Sequence, residues 1–245
     1  NKGDNVHPEF RSRVVGQEIK IDKRDDLFAA TPPLEAIKLL LSFAVIEGIG
    51  YEKGKKKEGM KLDFIDVKRA YFHAAARREV YIELPEEDAE EGMCGELIKS
   101  LYGTRDAAMN WQECVAEHLS KHGFKRGKAY PSLYVHPERG IHTLIHGDDY
   151  VSVGSKEDVN WLKEKLESAF EIKTDIIGYQ DEELKQDGKI LNRLISVDHT
   201  GWKLEANPRH AELLIEDLGV KDGKGLSTPG IEEKESEEAD QTPVI

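Results

Sequence analysis

The chain has 245 residues, 38% of them hydrophobic, which suits one large or two small domains with a substantial core. Its net charge of −13 is the wrong sign for a generic nucleic-acid-binding surface, and no apolar run reaches the roughly 18 residues that a membrane-spanning helix needs. The two cysteines, Cys94 and Cys114, form neither a zinc spacing nor a disulfide framework. We therefore expect an intracellular protein, cytoplasmic or nuclear, with no membrane partner.

The charge is unevenly distributed along the sequence. Acidic residues dominate from Glu232 onward, whereas basic residues concentrate near the start and in the lysine-rich stretch 53–57. The net charge is therefore compatible with a local basic groove. The composition predicts an acidic disordered tail over residues 231–245, so the folded part of the chain is expected within residues 1–230.

The first half of the chain predicts short strands and helices. Residues 10–21 alternate as an exposed strand pair, and Thr31-Pro32-Pro33 opens a helix that ends at Gly48. Residues 62–67 predict a strand that carries Asp66 on the same face as Leu62 and Phe64. A helix over residues 68–76 is predicted to follow this strand in the sequence. Asp66 is then either a buried acid that needs a partner or the cap of that helix.

The second half predicts a strand over residues 79–84, a helix from about Arg105 to His122, and a helix capped by Ser155. A hairpin of residues 190–197 with 202–204 and a helix opened by Asn207-Pro208 follow. The predicted helix at 105–122 carries two sets of residues at helical spacing. The apolar set is Ala108, Trp111, Val115 and Leu119. The second set, Cys114, His118 and His122, has a spacing that can hold a metal, but no fourth ligand is evident, so we expect it to be the polar flank of an amphipathic helix.

The stretch 141–154, I-H-T-L-I-H-G-D-D-Y-V-S-V-G, predicts a hairpin with two carboxylates at its turn. Adjacent carboxylates repel each other, and the pKa of each rises unless a cation holds them. Hard divalent cations such as Mg²⁺ take oxygen ligands, so a third acid would make a two-metal phosphoryl-transfer site plausible. The competing interpretation is that Asp148-Asp149 is an ordinary solvated turn.

Three stretches together resemble the reverse transcriptase of copia-type LTR retrotransposons: I-D-V-K-R-A-Y-F-H-A at 65–74, K-S-L-Y-G-T-R-D-A-A-M-N-W at 99–111 and H-G-D-D at 146–149. Weaker similarities are R-S-R-V-V at 11–15, L-F-A-A-T-P-P-L-E-A at 27–36 and S-T-P-G at 227–230. The resemblance implies an α+β fold: a polymerase palm, that is, an antiparallel sheet backed by helices, with fingers and a partial thumb-like C-terminal region. It also implies an RNA-directed DNA polymerase that adds deoxynucleotides to a primer 3′-hydroxyl.

The resemblance further implies roles for individual residues. Asp66, Asp148 and Asp149 would be the catalytic acids and would hold two Mg²⁺ ions, or Mn²⁺ in their place. The substrate-binding residues would be Tyr71 as the steric gate against a ribose 2′-hydroxyl, Gly103 beside the nucleotide, and Arg13, with Arg11, as a triphosphate clamp. Arg13 as an ordinary exposed strand residue remains an equal alternative.

The expected partners are an RNA or DNA template with a primer, deoxynucleoside triphosphates, and ribonuclease H and integrase domains that this chain lacks. Two departures from the family pattern matter: His146-Gly147 replaces an aromatic and an apolar residue, and Ala107-Ala108 stands where Ala-Pro is usual. Three hypotheses therefore compete. The chain is an active reverse transcriptase, a decayed palm that at most binds nucleic acid, or a different metal-dependent phosphotransferase.

Overall fold

The computed structural model describes residues 14–19, 23, 27, 29–46, 51–52, 55–56, 59–179, 184–191, 193–206, 208–221 and 223. The chain divides into two compact units, residues 1–206 and residues 207–245. Within the described ranges, no helix is both long and apolar enough to span a membrane. The predicted tail at 231–245 lies outside the described residues.

The first unit mixes helices with short antiparallel strands. Its helices are α1 (Leu34–Ile46), the 3₁₀ helix η1 (Ala70–His73), α2 (Ala107–Lys121) and α3 (Lys156–Glu167). Its strands are β1 (Tyr51–Glu52), β2 (Lys55–Lys56), β3 (Lys61–Val67), β4 (Tyr81–Ile82), β5 (Gly95–Glu96), β6 (Lys125–Arg126), β7 (Leu133–His136), β8 (Ile141–His146), β9 (Asp149–Gly154), β10 (Ile172–Ile177), β11 (Asp187–Ile190), β12 (Arg193–Asp198) and β13 (Gly201–Ala206). The second unit contains α4 (Arg209–Asp217).

A six-stranded antiparallel sheet in the order β10-β3-β9-β8-β7-β6 is the centre of the first unit. Because side chains alternate along each strand, the sheet has two faces, and each buries its own apolar cluster. One face packs on α2 and α3 through residues such as Ile65, Tyr150 and Leu162. The other packs on α1 and the three-stranded sheet β11-β12-β13 through residues such as Leu62 and Val153.

The structure confirms the α+β class and the antiparallel sheet, together with most of the predicted helices. Helix α2 buries Trp111, Val115 and Leu119, which are each 1% exposed. Ser155 caps α3 as predicted, because its hydroxyl accepts the backbone N–H of Asp158 at 3.1 Å. The hairpin predicted at 190–204 is β12 and β13, and β11 adds a third strand that we did not predict.

Three local predictions were wrong. The predicted helix at 68–76 is only η1, since Arg69 adopts a left-handed conformation (φ 54°) and the Ala74 carbonyl accepts the Ser100 N–H at 2.9 Å instead of continuing a helix. The strand predicted at 79–84 is only β4, paired with β5. In the described part of the strand pair predicted at 10–21, residues 14–19, no strand forms.

Candidate active site

The β8–β9 hairpin forms as the sequence predicts, with Gly147 and Asp148 as its two turn residues. Gly147 has φ 62°, a left-handed value that glycine adopts without strain and that the first residue of a type II′ hairpin turn requires. His146 and Asp149 face each other as the last cross-strand pair before the turn. The turn therefore projects Asp148 beyond the sheet, while Asp149 belongs to the sheet itself.

Asp66 lies directly beside these two acids. Strands β3 and β9 pair so that Asp66 is the cross-strand partner of Asp149, and the next backbone N–H, that of Val67, donates to the Asp148 carbonyl at 2.9 Å. Asp66 shares a sheet face with Leu62 and Phe64, as predicted, but it is exposed and caps no helix. Asp66 is thus neither the buried acid nor the helix cap that its position in the strand predicted, and both of these interpretations were wrong. It is a solvent-facing acid at a strand end, adjoining two more acids.

The electrostatics of the three acids reflect this proximity. Burial raises the pKa of Asp149 first, and the charges of Asp148 and Asp66 raise it further, while His146 acts in the opposite direction. Such a set of crowded oxygen donors suits a divalent cation, which would relieve the repulsion. Within the described residues, however, no three acidic, histidine or cysteine side chains are close enough together to enclose an ion by themselves. A cation here would therefore need additional oxygen ligands, such as substrate phosphates.

Two basic side chains flank the acids in one row across the sheet. Lys173 on β10 is the cross-strand partner of Asp66, and His146 on β8 is the partner of Asp149. The row therefore reads Lys173, Asp66, Asp149, His146 over four adjacent strands. Lys173 was not among the predicted site residues, although the alternation of E-I-K-T-D-I-I at 171–177 is the signal that could have identified β10.

Helix η1 carries Tyr71, the predicted steric gate. Its ring is half-buried and stacks on Tyr102, with ring centroids 4.3 Å apart and an interplanar angle of 26°. Burial raises the pKa of Tyr71, and the charge of Asp148 adds to the shift. Tyr71 lines the same pocket as Gly147, so it lies near the hairpin turn that carries Asp148.

Trp111 ties the hairpin turn to α2. Its indole N–H donates to the Gly147 carbonyl at 2.8 Å, while the ring is 1% exposed. An open pocket lies next to this contact and is lined by Tyr71, Trp111, Gly147, Ala30, Ser132 and Tyr134, among others. We predicted Trp111 only as a core residue, because helical periodicity says nothing about where an indole N–H points.

Gly103 has φ 94°, and a Cβ atom there would lie 1.8 Å from the Gly16 carbonyl oxygen. Within the described residues, the backbone that approaches Gly103 is thus that of Gly16, and the predicted approach of a nucleotide stays a prediction. The predicted phosphate-binding residues Arg11 and Arg13 lie outside the described residues. Their role as a triphosphate clamp likewise stays a prediction.

Comparison with known proteins identifies the family of the chain. The family model for reverse transcriptase (RNA-dependent DNA polymerase) matches residues 1–205, which is most of the chain. The chain belongs to this family. The family match covers all seven predicted site residues, and the resemblance to copia-type elements is confirmed by the relatives that follow.

This reverse transcriptase chain is similar to much longer polyproteins. It is 26% identical over 244 residues to the retrovirus-related Pol polyprotein from transposon TNT 1-94 of Nicotiana tabacum, covering 93% of this chain and 16% of that protein. It is 26% identical over 125 residues to the transposon Ty1-MR1 Gag-Pol polyprotein of Saccharomyces cerevisiae, covering 50% of this chain and 7% of that protein. The chain therefore spans less than a fifth of either relative.

Among solved structures, apo telomerase from Candida tropicalis, truncated from its C-terminal domain, aligns with 71% of this chain and 40% of its own. The sequence identity is 11% and the TM-score is 0.42. A TM-score of this size does not establish a common fold.

Proposed function

We propose that this chain is the RNA-directed DNA polymerase domain of a copia-type retroelement, and that its three acids form the catalytic centre. One observation carries the proposal: strand pairing puts Asp66 beside Asp149, next to Asp148 in the turn. Three carboxylates from two distant parts of the sequence then meet at one exposed sheet end, where a primer terminus and a nucleotide could reach them. We interpret the six-stranded sheet with α2 and α3 as the palm of such a polymerase.

The proposed reaction joins a primer to a deoxynucleoside triphosphate. The primer 3′-oxygen attacks the α-phosphorus, the bond from that phosphorus to the bridging oxygen breaks, and pyrophosphate leaves while the hydroxyl proton passes to solvent. Two Mg²⁺ ions, with Mn²⁺ as a substitute, would be held by Asp66, Asp148 and Asp149 and would stabilise the attacking and leaving oxygens. The fold's contribution is then mainly positioning and charge stabilisation.

Substrate selection falls to residues around the acids. The Tyr71 ring, beside Asp148, would contact the sugar and exclude a ribose 2′-hydroxyl. Gly103 would allow close backbone approach to the nucleotide, and Arg13, with Arg11, would bind the triphosphate from the fingers. The proposed partners are a primed RNA or DNA template and the remaining domains of a polyprotein, including ribonuclease H and integrase, with α4 as part of a thumb. We propose an intracellular location, in the cytoplasm or the nucleus.

Primer extension on an RNA template with Mg²⁺ and four deoxynucleotides tests the proposal. We expect extension by the parent chain and loss of at least about 100-fold in kcat for Asp66→Asn and Asp148→Asn, because each change removes a charge that acts on the transition state. Asp88→Asn is the matched control, because it changes an exposed acid that is not one of the predicted site residues, and it should extend the primer normally. Extension by Asp148→Asn at the parental rate would contradict the assignment of the acids.

A second candidate, a decayed palm that binds nucleic acid without turnover, is favoured by one observation. His146-Gly147 lacks the aromatic and apolar side chains that the copia family presents before its acids, and a Cβ at Gly147 would meet no atom within 4 Å. That side of the hairpin therefore offers a primer end little to pack against. Binding of a primed template by a folded parent without extension would support this candidate, and gain of extension by His146→Tyr, which restores an aromatic ring without changing the turn glycine, would explain the loss.

A further inference from the structure

Tyr71 stands on an element that cannot hold it rigidly alone. Helix η1 has only four residues, begins after a left-handed Arg69 and has no side-chain cap at its start. Short 3₁₀ helices have poor hydrogen-bond geometry and are marginal by themselves. A tyrosine that must exclude one hydroxyl group from a sugar needs a more definite position, so its ring requires support from elsewhere.

The apolar cluster on the α2 side of the sheet packs against part of Tyr71, and Tyr102 supports the ring in addition. The Tyr102 ring stacks on that of Tyr71 at 4.3 Å and 26°, and the Phe72 ring meets the Tyr102 ring edge-on, with these two centroids 5.5 Å apart at 86°. Offset stacking and edge contacts are the favoured arrangements of aromatic rings. Tyr102 therefore lies against Tyr71 and limits how far the Tyr71 ring can move.

Tyr102 is itself fixed by backbone contacts on both sides. The Gly16 N–H donates to the Tyr102 carbonyl at 2.6 Å, and Gly103 adopts its left-handed turn against the Gly16 backbone. Two residues earlier, the Ser100 N–H donates to the Ala74 carbonyl at 2.9 Å, directly after η1. The loop that carries Tyr102 is thus joined to the end of the helix that carries Tyr71.

Buried side chains reinforce the same loop. Ser100 is 3% exposed, and its hydroxyl accepts the Asn110 side-chain amide at 3.1 Å, while Asn110 is 1% exposed. On the other side of Tyr102, the Arg105 N–H donates to the Glu18 carboxylate at 2.8 Å. Because these contacts lie in the protein interior or between separate segments, Tyr102 is a more rigid platform than η1.

We propose that Tyr102 is a positioning residue for Tyr71 and thereby a determinant of deoxynucleotide selectivity. This inference rests on the proposed polymerase function and on Tyr71 as the gate. Without the Tyr102 ring, Tyr71 would rotate away from the sugar position, and the space vacated would admit a 2′-hydroxyl. The chemistry at the three acids would be little changed, because the substitution acts on the position of the Tyr71 ring and leaves the acids in place.

Single-nucleotide primer extension with deoxynucleotides and with ribonucleotides tests the inference through the ratio of the two kcat/KM values. Loss of a stacking contact changes the equilibrium between two positions of an aromatic ring by about tenfold. We therefore expect Tyr102→Leu to lower the ratio of kcat/KM for the deoxynucleotide to kcat/KM for the ribonucleotide by about tenfold, mainly by raising kcat/KM for the ribonucleotide. Tyr102→Phe, which keeps the ring, should stay within about twofold of the parent, and Tyr102→His should fall between them. Tyr130→Leu, which removes an exposed tyrosine on another loop, is the matched control and should leave the ratio unchanged.

A double-mutant cycle separates positioning from a general structural effect. In a Tyr71→Ala background, Tyr102→Leu should not lower the ratio further, because the ring that it positions is gone. If Tyr102→Leu melts at a lower temperature, Tyr102→His supplies the same comparison in a milder variant. An unchanged ratio in Tyr102→Leu and Tyr102→His, with a lowered ratio in Tyr71→Ala, would overturn the inference and leave the polymerase function standing. Absence of any extension by the parent would overturn both.

Discussion

Asp63 lies on the face of β3 that packs toward α3, with no exposed surface and, among the described residues, no hydrogen-bond partner for either carboxyl oxygen. Burial raises the pKa of Asp63 to about 7; Lys163 opposes the shift, and Asp175 and Glu167 add to it. An ionised carboxylate in this position would be costly, so the folded protein favours the protonated acid.

The raised pKa of Asp63 makes folding stability depend on pH. The pKa of Asp63 is higher in the folded protein than its value of 3.8 in the unfolded chain, so the protonated acid makes its full contribution to folding stability below about pH 4. This contribution is lost as the pH rises to about 7. Between pH 5 and pH 8, the free energy of unfolding of the parent should fall by about 2–3 kcal/mol more than that of Asp63→Asn. Urea unfolding at both pH values measures this difference, with Asp88→Asn as an exposed control. Equal pH dependence in the parent and Asp63→Asn would show that Asp63 titrates normally.

Gly103 and Gly92 form a matched pair that tests how closely the Gly16 backbone packs on Gly103. Both have positive φ, 94° and 78°, but a Cβ at Gly92 meets no atom within 4 Å, whereas one at Gly103 would overlap Gly16. Gly92→Ala should therefore cost about 1–2 kcal/mol from backbone strain alone, and Gly103→Ala about 2–5 kcal/mol from strain plus overlap. Urea unfolding of both variants gives the comparison. Similar losses would mean that the segment at Gly16 moves aside freely.

At the scale of elements, the position of the hairpin depends on α2. Trp111 reaches from the helix to the Gly147 carbonyl, and this hydrogen bond joins the turn that carries Asp148 to a helix packed on that face of the sheet. A turn held at only its two strand ends would be free to tilt, and small displacements of catalytic groups lower rates strongly. Under the proposed function, we therefore expect the indole N–H to contribute to catalysis as well as to packing.

Trp111→Phe removes this donor and keeps an aromatic ring in the core. We expect the free energy of unfolding to fall by about 1–3 kcal/mol and kcat for primer extension to fall by about tenfold or more, with a smaller change in KM. Trp161→Phe is the control, because the Trp161 ring on α3 stacks on Phe124 and lies under the Arg139 guanidinium, and no hydrogen bond joins it to the hairpin turn among the described residues. It should lose stability but keep kcat. A parental kcat in Trp111→Phe would show that the strands alone position the turn.

Local signals in the sequence predicted some elements well and others poorly. The hairpin at Asp148-Asp149 and the capped helix α3 were predictable because a Gly/Asp turn and a serine cap act over a few residues. The pairing of Asp66 with Asp149 was not predictable from the strands themselves, because register between distant strands is set by packing on both sheet faces. The short η1 was mispredicted because tertiary hydrogen bonds to residues 98–100 outweigh helix propensity there.

For the whole molecule, the resemblance supplied what local patterns could not. The three acids, Tyr71 and Gly103 were assigned roles by their order along the chain, and the structure brings the acids and Tyr71 together. Supporting residues such as Tyr102, Trp111 and Lys173 emerged only from the folded arrangement, since their contacts join separate elements. The net charge of −13 excludes little, because a nucleic-acid groove depends on where the basic residues lie.

In the proposed function, Asp66 at the end of β3 and Asp148 and Asp149 in the β8–β9 hairpin catalyse templated DNA synthesis. The most direct measurement is addition of one nucleotide to a primer on four RNA templates that differ only in the next base, with Mg²⁺ and each deoxynucleotide in turn. We expect the parent to add the complementary deoxynucleotide on every template, and we expect Asp148→Asn to add none. Addition that ignores the template base, or equal addition by Asp148→Asn, would contradict the proposed function.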